Sequence, residues 1–68
     1  MDDIHARLAR NLRLLRQRKG LSQEELADEA RLHRTYLSHL ETGKRNPGLD
    51  IIDRLSRALG VTAGKLLD

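Results

Sequence analysis

Residues 21–47, LSQEELADEARLHRTYLSHLETGKRNP, contain the pattern that decides the fold of this chain. Two short segments with helical periodicity are separated by three residues, Arg31-Leu32-His33. Apolar or small side chains recur at the positions that two helices crossing at a steep angle bury against each other, namely Leu26, Ala27, Ala30, Leu32, Leu37 and Leu40. This periodicity predicts two short helices joined by a tight turn.

Local signals set the ends of these two helices. Ser22 and Glu25 have the spacing of a capping box, in which each side chain bonds to the backbone N–H of the other residue. The second helix should run from about Arg34 to Glu41, and Gly43 ends it. The result is a helix-turn-helix motif over about residues 22–41, a motif whose second helix can lie in the major groove of DNA.

Composition limits the rest of the fold. At 68 residues the chain should be one domain, residues 1–68, near the lower size limit for a self-sufficient core. It has no cysteine, and its apolar content is mostly Leu, Ile and Ala, which predicts an all-α fold. The formal net charge of +3 suits either a nucleic-acid binder or a solvated helical surface. Short apolar runs and an acidic N-terminus lead us to expect a cytoplasmic protein without a membrane span.

Three further helices complete the predicted domain. The first should run from about Asp3 to Lys19, with Asp2 at the positive end of its dipole, and its arginines should form a solvated face. A fourth should run from about Leu49 to Leu59, and a short fifth helix should begin after Thr62 as N-cap. The apolar stripes of the first and fourth helices are Ile4, Leu8, Leu12 and Leu15, and Leu49 (or Ile51), Ile52, Leu55 and Leu59.

The outer face of the Arg34–Glu41 helix is polar. Successive residues rotate by about 100°, which places Leu37 and Leu40 on one side and leaves a shared opposite face of Arg34, Thr35, Ser38, His39 and Thr42. Each of these side chains can bond to a base edge or a phosphate, and arginine can make two hydrogen bonds to guanine. Any solvated helix has a polar face, so the capped preceding helix and the basic Lys44-Arg45 pair decide in favour of DNA.

Two other features bear on the same motif. Gln23 lies in the first turn of its helix, where backbone amides and the dipole favour a phosphate, although glutamine is also a good helix former at a solvated position. Arg16 and Glu41 end the first and third helices. They either form a partly buried ion pair or are two unrelated surface charges, and spacing alone leaves both possibilities open.

Enzyme chemistry has little support in this sequence. The three histidines, His5, His33 and His39, lack metal-ligand spacing and a partner cysteine. Tyr36 is the sole aromatic residue, which argues against single-stranded nucleic acid, where base stacking supplies much of the affinity. We therefore expect no catalytic residue, no metal, no cofactor and no small-molecule ligand.

Nearly the whole chain, from Ile4 to Asp68, resembles the Cro/CI-type (XRE) helix-turn-helix family of bacterial and phage transcription regulators. The resemblance rests on NLRLLRQRKGLSQEELA, on LSHLETGKRNPGL, and on LSRALGV with the short helix after it. The segment HRTYLSHLETGKRNP is also similar to the controller proteins of restriction-modification systems. These similarities imply a lambda-repressor-like domain of five short helices that binds double-stranded DNA as a homodimer, on a palindromic operator.

The resemblance also implies roles for individual residues. Gln23 would contact a phosphate, and Arg16 and Glu41 would form the salt bridge that joins two helices in this family. Base and backbone contacts would come from His33, Arg34, Thr35, Ser38 and His39. The residues that approach the DNA backbone behind the recognition helix would be Lys44, Arg45 and Asn46.

Two positions depart from the family pattern. Arg31 occupies the turn position where the family usually has glycine, because the backbone there tends toward positive φ, and an arginine there should carry strain of about 1 kcal/mol. Gly48 stands where the family usually has a serine cap, a loss of a few tenths of a kcal/mol. Neither departure should prevent folding.

Two classes of function remain open at this point. The first is a homodimeric, sequence-specific regulator; the second is a protein-interaction or antitoxin-like helix-turn-helix module with secondary DNA binding. An interaction surface should be richer in apolar and aromatic residues than the face that carries Arg34, so we favour DNA. Leu66 and Leu67, on a helix too short to be stable alone, should form the dimer interface with part of the loop before the fourth helix.

Overall fold

Five α-helices follow one another in the computed structural model, which describes residues 3–68. They are α1 (Ile4–Arg18), α2 (Gln23–Ala30), α3 (Arg34–Glu41), α4 (Leu49–Leu59) and α5 (Ala63–Leu67). The described residues contain no strand, which confirms the all-α prediction, and the helix bounds lie close to those expected. Asp2, expected beside the first helix, lies outside the described residues.

Leucine side chains form most of the core. Those fully buried between the helices are Leu12, Leu26, Leu37, Leu40, Leu55 and Leu66. Helix α2 packs against α3 and α4, whereas α1 packs against α3 and α5, and α4 also packs against α5. Helix α3 is therefore held from two sides, by α1 and by α2.

Two predicted stripe residues lie outside this core. Ile4 is 46% exposed and Leu49 is 83% exposed, so their placement in the core is wrong. Each is the first residue of its helix, where the helix end extends past its neighbours. On α1, Ala9 is buried although it was not part of the predicted stripe. On α4, Ile51, the predicted alternative to Leu49, is partly buried and packs against the core.

Leu66 is fully buried in the core of its own chain, where α5 packs against α1 and α4. The expectation that Leu66 forms a dimer interface is therefore wrong for this side chain, because it has no surface left to offer a second copy. Leu67 is partly buried beside the core, and its place at an interface stays a prediction. The helix begins as expected, since the Thr62 hydroxyl accepts the Lys65 N–H at 3.3 Å.

The predicted capping box at α2 is present. The Glu25 N–H donates to Ser22 Oγ at 3.0 Å, and the Ser22 N–H donates to Glu25 Oε1 at 2.9 Å. The bond from the Ser22 backbone lowers the pKa of the Glu25 carboxyl. Because that pKa is lower in the folded chain, the cap stabilises the fold above the pKa of the unfolded chain and is lost as pH falls through the folded value.

Basic side chains of α1 and its C-cap Lys19 bond to the C-terminal ends of other helices, so the assignment of the arginines to a solvated face is wrong for Arg7 and Arg13. Three such bonds join Arg7 Nε to the Leu67 carbonyl at 2.9 Å, Lys19 Nζ to the Ala58 carbonyl at 2.7 Å, and Arg13 Nη1 to the Glu41 carbonyl. The last carbonyls of a helix have no donor within the helix and carry its negative dipole end. Helix α1 thus supplies donors to α3, α4 and α5.

A bidentate ion pair joins α1 to α3. Arg16 Nε donates to Glu41 Oε2 at 2.6 Å, and Arg16 Nη2 donates to Glu41 Oε1 at 3.0 Å. The Glu41 side chain is 1% exposed and that of Arg16 is 13% exposed, so the pair is largely removed from water. Arg16 Nη1 also donates to the Leu21 carbonyl at 2.9 Å. The two charges are therefore paired, as the family resemblance implied.

The turn between α2 and α3 contains a left-handed residue that is not glycine. Arg31 has φ 59° and ψ 47°, whereas the other positive-φ residues within the range 3–68 are Gly20, Gly43 and Gly60. A residue with a Cβ atom loses about 1–2 kcal/mol in this conformation. The strain expected at Arg31 is therefore a feature of the fold.

We predict that Gly48→Ser raises the free energy of unfolding by about 0.5–1 kcal/mol, measured by urea denaturation. Gly48 caps α4 at φ −75° and ψ 173°, a conformation open to any residue, and provides no side-chain cap. An added Cβ would lie 3.1 Å from Asp50 Oδ1, the end of an exposed side chain that can move. The matched control is Gly43→Ser, which places a side chain at φ 76° and should lower stability. A lower stability for Gly48→Ser would contradict the prediction.

We also predict a coupling of about 1–3 kcal/mol between Arg16→Met and Glu41→Gln in a double-mutant cycle followed by urea unfolding. Each single change leaves a largely buried polar partner without its ion pair. The double variant should therefore lose less free energy of unfolding than the sum of the two single losses. The control cycle uses the exposed Asp53–Arg57 pair at 3.0 Å, which should couple by about 0.3–0.5 kcal/mol. Equal coupling in both cycles would mean that burial does not strengthen the Arg16–Glu41 pair.

Candidate nucleic-acid interface

Helix α3 has one face in the core and one toward solvent. Leu37, Leu40 and Glu41 are buried, and the opposite face carries Arg34 and Thr35, both exposed, and the partly buried Ser38 and His39. The structure therefore places these four predicted contact residues on a single outer surface. The partly buried Tyr36 packs against the core from the side.

The N-terminal end of α3 is open toward solvent. His33 is the N-cap residue, with φ −71° and ψ 141°, and its exposed side chain makes no capping hydrogen bond. The imidazole therefore remains available to another partner. Arg34 follows directly as the first helical residue.

Gln23 lies beside this end of α3. It lines one shallow surface depression together with Arg34, Thr35 and Ser38. Its Nε2 donates to Glu41 Oε1 at 3.1 Å, so the amide is anchored on the buried ion pair. An amide nitrogen carries two hydrogens, which leaves one N–H and the amide oxygen for an outside partner. Nothing in the spacing of Gln23 and Glu41 along the sequence indicates this bond.

The other end of α3 leads into a basic loop. Thr42 Oγ1 donates to the Ser38 carbonyl at 3.1 Å, and the Lys44 N–H donates to the His39 carbonyl at 2.9 Å. These bonds close the C-terminus of the helix. Lys44, Arg45 and Asn46 are all exposed in the loop that follows. They do not line the depression that contains Gln23.

Arginines of α1 extend this basic surface. Arg10 and Arg13 line a depression that also contains Thr42 and Gly43, next to the basic loop. Their position beside the basic loop was not predicted, because the sequence assigned them to a solvated face of the first helix. The available signal was the three-residue spacing of arginines from Arg7 onward, which places them along one side of a helix.

Carboxylates border the surface on its α2 side. Glu24, Glu25 and Asp28 line a depression that reaches His33 and Arg34 at the start of α3. Within residues 3–68 no group of three or more histidine or acidic residues is placed to hold a metal ion. None of the helices in that range is both long enough and apolar enough to cross a membrane.

Comparison with known proteins gives a consistent result. A family model described as helix-turn-helix matches residues 12–66. The control protein C.BamHI of Bacillus amyloliquefaciens is 53% identical over 51 residues, which are 75% of this chain and 63% of that protein. The crystal structure of a hypothetical transcription factor from Neisseria has a TM-score of 0.94 and 48% identity, covering 97% of this chain and 76% of the other.

A structure solved with DNA is also similar. The biofilm regulator SinR, crystallised in complex with DNA, has a TM-score of 0.86 and 32% identity, covering 90% of this chain and 98% of the SinR chain. The present chain spans only about three fifths of two curated relatives, 61% and 63% of their lengths. Because the matched region contains the capped α2, the tight turn and α3, this chain belongs to the helix-turn-helix family of the Cro/CI (XRE) type.

Proposed function

We propose that this protein is a homodimeric transcription regulator that binds a specific double-stranded DNA sequence and catalyses no reaction. The observation that carries the proposal is the outer face of α3, which is polar and begins with the exposed Arg34. The buried Glu41 and two leucines hold its opposite face. The similar protein SinR was crystallised in complex with DNA, which supports DNA as the partner. Since the proposed partner is chromosomal DNA, we place the protein in the cytoplasm.

Readout of bases would begin at the N-terminal end of α3. The major groove is about 12 Å wide and admits a helix, and the first residues of a recognition helix contact base edges. Arg34 can donate two hydrogen bonds to guanine, and the Thr35 methyl group can contact a thymine methyl. Ser38 and His39, one turn further on, would reach the adjacent base or its phosphate.

Phosphate contacts at both ends of α3 would fix its register in the groove. Gln23 can donate its second amide hydrogen while the first remains on Glu41. Backbone N–H groups in the first turn of α2 add donors at the positive end of that helix. At the other end Lys44, Arg45 and Asn46 are exposed and can contact the opposite strand.

A two-fold dimer would place two recognition helices about one DNA turn apart, roughly 34 Å, on a palindromic site. With Leu66 in the core, the exposed apolar atoms near the predicted interface belong to Leu49 and to part of Leu67. Leu49 follows directly on the loop before α4, and its 83% exposed side chain is apolar surface that a second copy can cover. We therefore propose that Leu49 and Leu67 contact the second copy.

We predict that Arg34→Ala weakens binding to the preferred duplex by about 1–3 kcal/mol and relaxes the preference at one base pair per half-site. The preferred duplex would first be selected from random DNA, and affinities would be measured by fluorescence anisotropy. Lys44→Ala, the matched phosphate-contact variant, should weaken all duplexes alike and reduce the slope of log affinity against log salt by about 1. If Arg34→Ala also weakens all duplexes equally, Arg34 contacts phosphate instead of a base.

We predict that Leu49→Glu shifts the protein from dimer to monomer in sedimentation equilibrium while the free energy of unfolding of the monomer changes by less than about 0.5 kcal/mol. The reason is that Leu49 contributes almost nothing to the core of its own chain. Leu14→Glu is the control, since Leu14 is a 44% exposed leucine on α1. A dimer that survives Leu49→Glu but not Leu14→Glu would place the interface on α1.

A further inference from the structure

A second charged surface lies where the C-terminal ends of α1, α2 and α4 meet. Four cationic side chains line a shallow groove there together with Glu29, Ala30 and Ala58; we call it the basic groove, and its cations are Lys19, Arg31, Arg54 and Arg57. Four positive charges and the one negative charge of Glu29 give +3, which equals the net charge of the whole 68-residue chain. The charges of all other residues therefore sum to zero.

Only two of these four cations, Lys19 and Arg57, make a hydrogen bond or an ion pair within residues 3–68. Lys19 Nζ donates to the Ala58 carbonyl at 2.7 Å, and Arg57 Nε donates to Asp53 Oδ2 at 3.0 Å. The guanidinium groups of Arg31 and Arg54 have no hydrogen bond or ion pair with any residue in the range 3–68. Arg54 is nevertheless partly buried. Two arginines in one groove thus make no hydrogen bond or ion pair within residues 3–68.

The backbone at Arg31 points to a role outside the fold. Its φ of 59° lies in the left-handed region, and the other three positive-φ residues among the described residues are all glycine. Glycine at this position would relieve the strain, and the arginine brings a cation into the basic groove. An unfavourable residue whose side chain lines a charged groove is the expected pattern when that side chain binds a partner.

We propose that the basic groove binds an acidic segment of a partner protein, one that presents at least two carboxylates to Arg31 and Arg54. Guanidinium groups suit this partner because their parallel N–H groups match the two oxygens of a carboxylate. The small side chains of Ala30 and Ala58 let a peptide backbone approach closely. The residues that line the groove belong to the C-terminal ends of α1, α2 and α4, and none of them lies on α3. The groove would stay open while the outer face of α3 is covered by DNA.

The surroundings of the groove favour a short acidic segment over a second length of DNA. Two carboxylates lie at the groove, Glu29 within its lining on α2 and the exposed Asp53 on α4, which pairs with Arg57 of the lining. A duplex carries one negative charge per about 1.7 Å along its axis, so it would face these carboxylates at close range. A peptide can place its own carboxylates between them. No aromatic side chain lines the groove for stacking with a base.

A fluorescence anisotropy titration tests the proposal with a labelled peptide of alternating Glu and Ala, and with the corresponding Gln and Ala peptide as a control ligand. The wild-type protein should bind the acidic peptide and not the neutral one. The double variant Arg31→Gly/Arg54→Gln should weaken binding by about fivefold or more, as expected for the loss of two exposed or partly exposed ion pairs. The matched variant Arg18→Gln/Lys65→Gln removes the same charge from exposed positions outside the groove and should change the affinity by less than about twofold.

Two further measurements separate a binding role from a structural one. Arg31→Gly alone should weaken peptide binding without lowering the unfolding temperature, because it relieves strain and removes no hydrogen bond of its side chain. Amide chemical shifts should change at Lys19, Arg31 and Arg54 on peptide addition and stay constant along Arg34–Glu41. Equal losses in the two double variants, or no binding of the acidic peptide, would overturn the proposal. Displacement of the peptide from these amides by a DNA duplex or by pyrophosphate would also overturn it in favour of a phosphate site.

Discussion

The buried carboxylate of Glu41 is the group on which the arrangement of the first three helices depends. It is 1% exposed, and it accepts two hydrogen bonds from Arg16 on α1 and one from Gln23 on α2. The carbonyl of the same residue accepts a further bond from Arg13. A carboxylate this deeply buried is tolerable only when its oxygens are paired. Three helices must therefore meet at this residue in one relative orientation.

The side chain of Gln23 connects this buried ion pair to the proposed DNA surface. Gln23 bonds to the buried face of α3 at Glu41 and lines the same depression as Arg34 on the outer face. The position of a proposed phosphate contact is therefore set by the ion pair that also orients the recognition helix. A surface that is ordered before binding loses less conformational entropy when DNA arrives. The buried polar cluster thus serves the proposed DNA recognition as well as stability.

Predictions from sequence succeeded where the deciding interactions are local. The capping box of Ser22 and Glu25 depends on residues three positions apart, and it is present. The left-handed turn at Arg31, which the family resemblance implied, is also present. The Arg16–Glu41 pair could not be deduced from spacing, because it joins residues 25 positions apart; the family resemblance implied it. The choice of Ile51 over Leu49 depends on which helix covers which face, and periodicity does not contain that information.

The burial of Leu66 and the bonds from α1 and its C-cap to distant carbonyls were not predicted, because they too depend on contacts between residues far apart in the sequence. The bonds from Arg7 and Lys19 span 60 and 39 residues, so no local pattern contains them. They also bear on how the molecule opens. If α1 detached, the C-terminal ends of α3, α4 and α5 would lose donors at once, and the Glu41 carboxylate would lose its cation. A partial opening of this kind approaches global unfolding in free energy, so the five helices should exchange their core amide hydrogens as one cooperative unit. We therefore expect the helix-turn-helix segment to have no separate stability of its own, so that the shape of the proposed DNA-binding surface is a property of the whole chain.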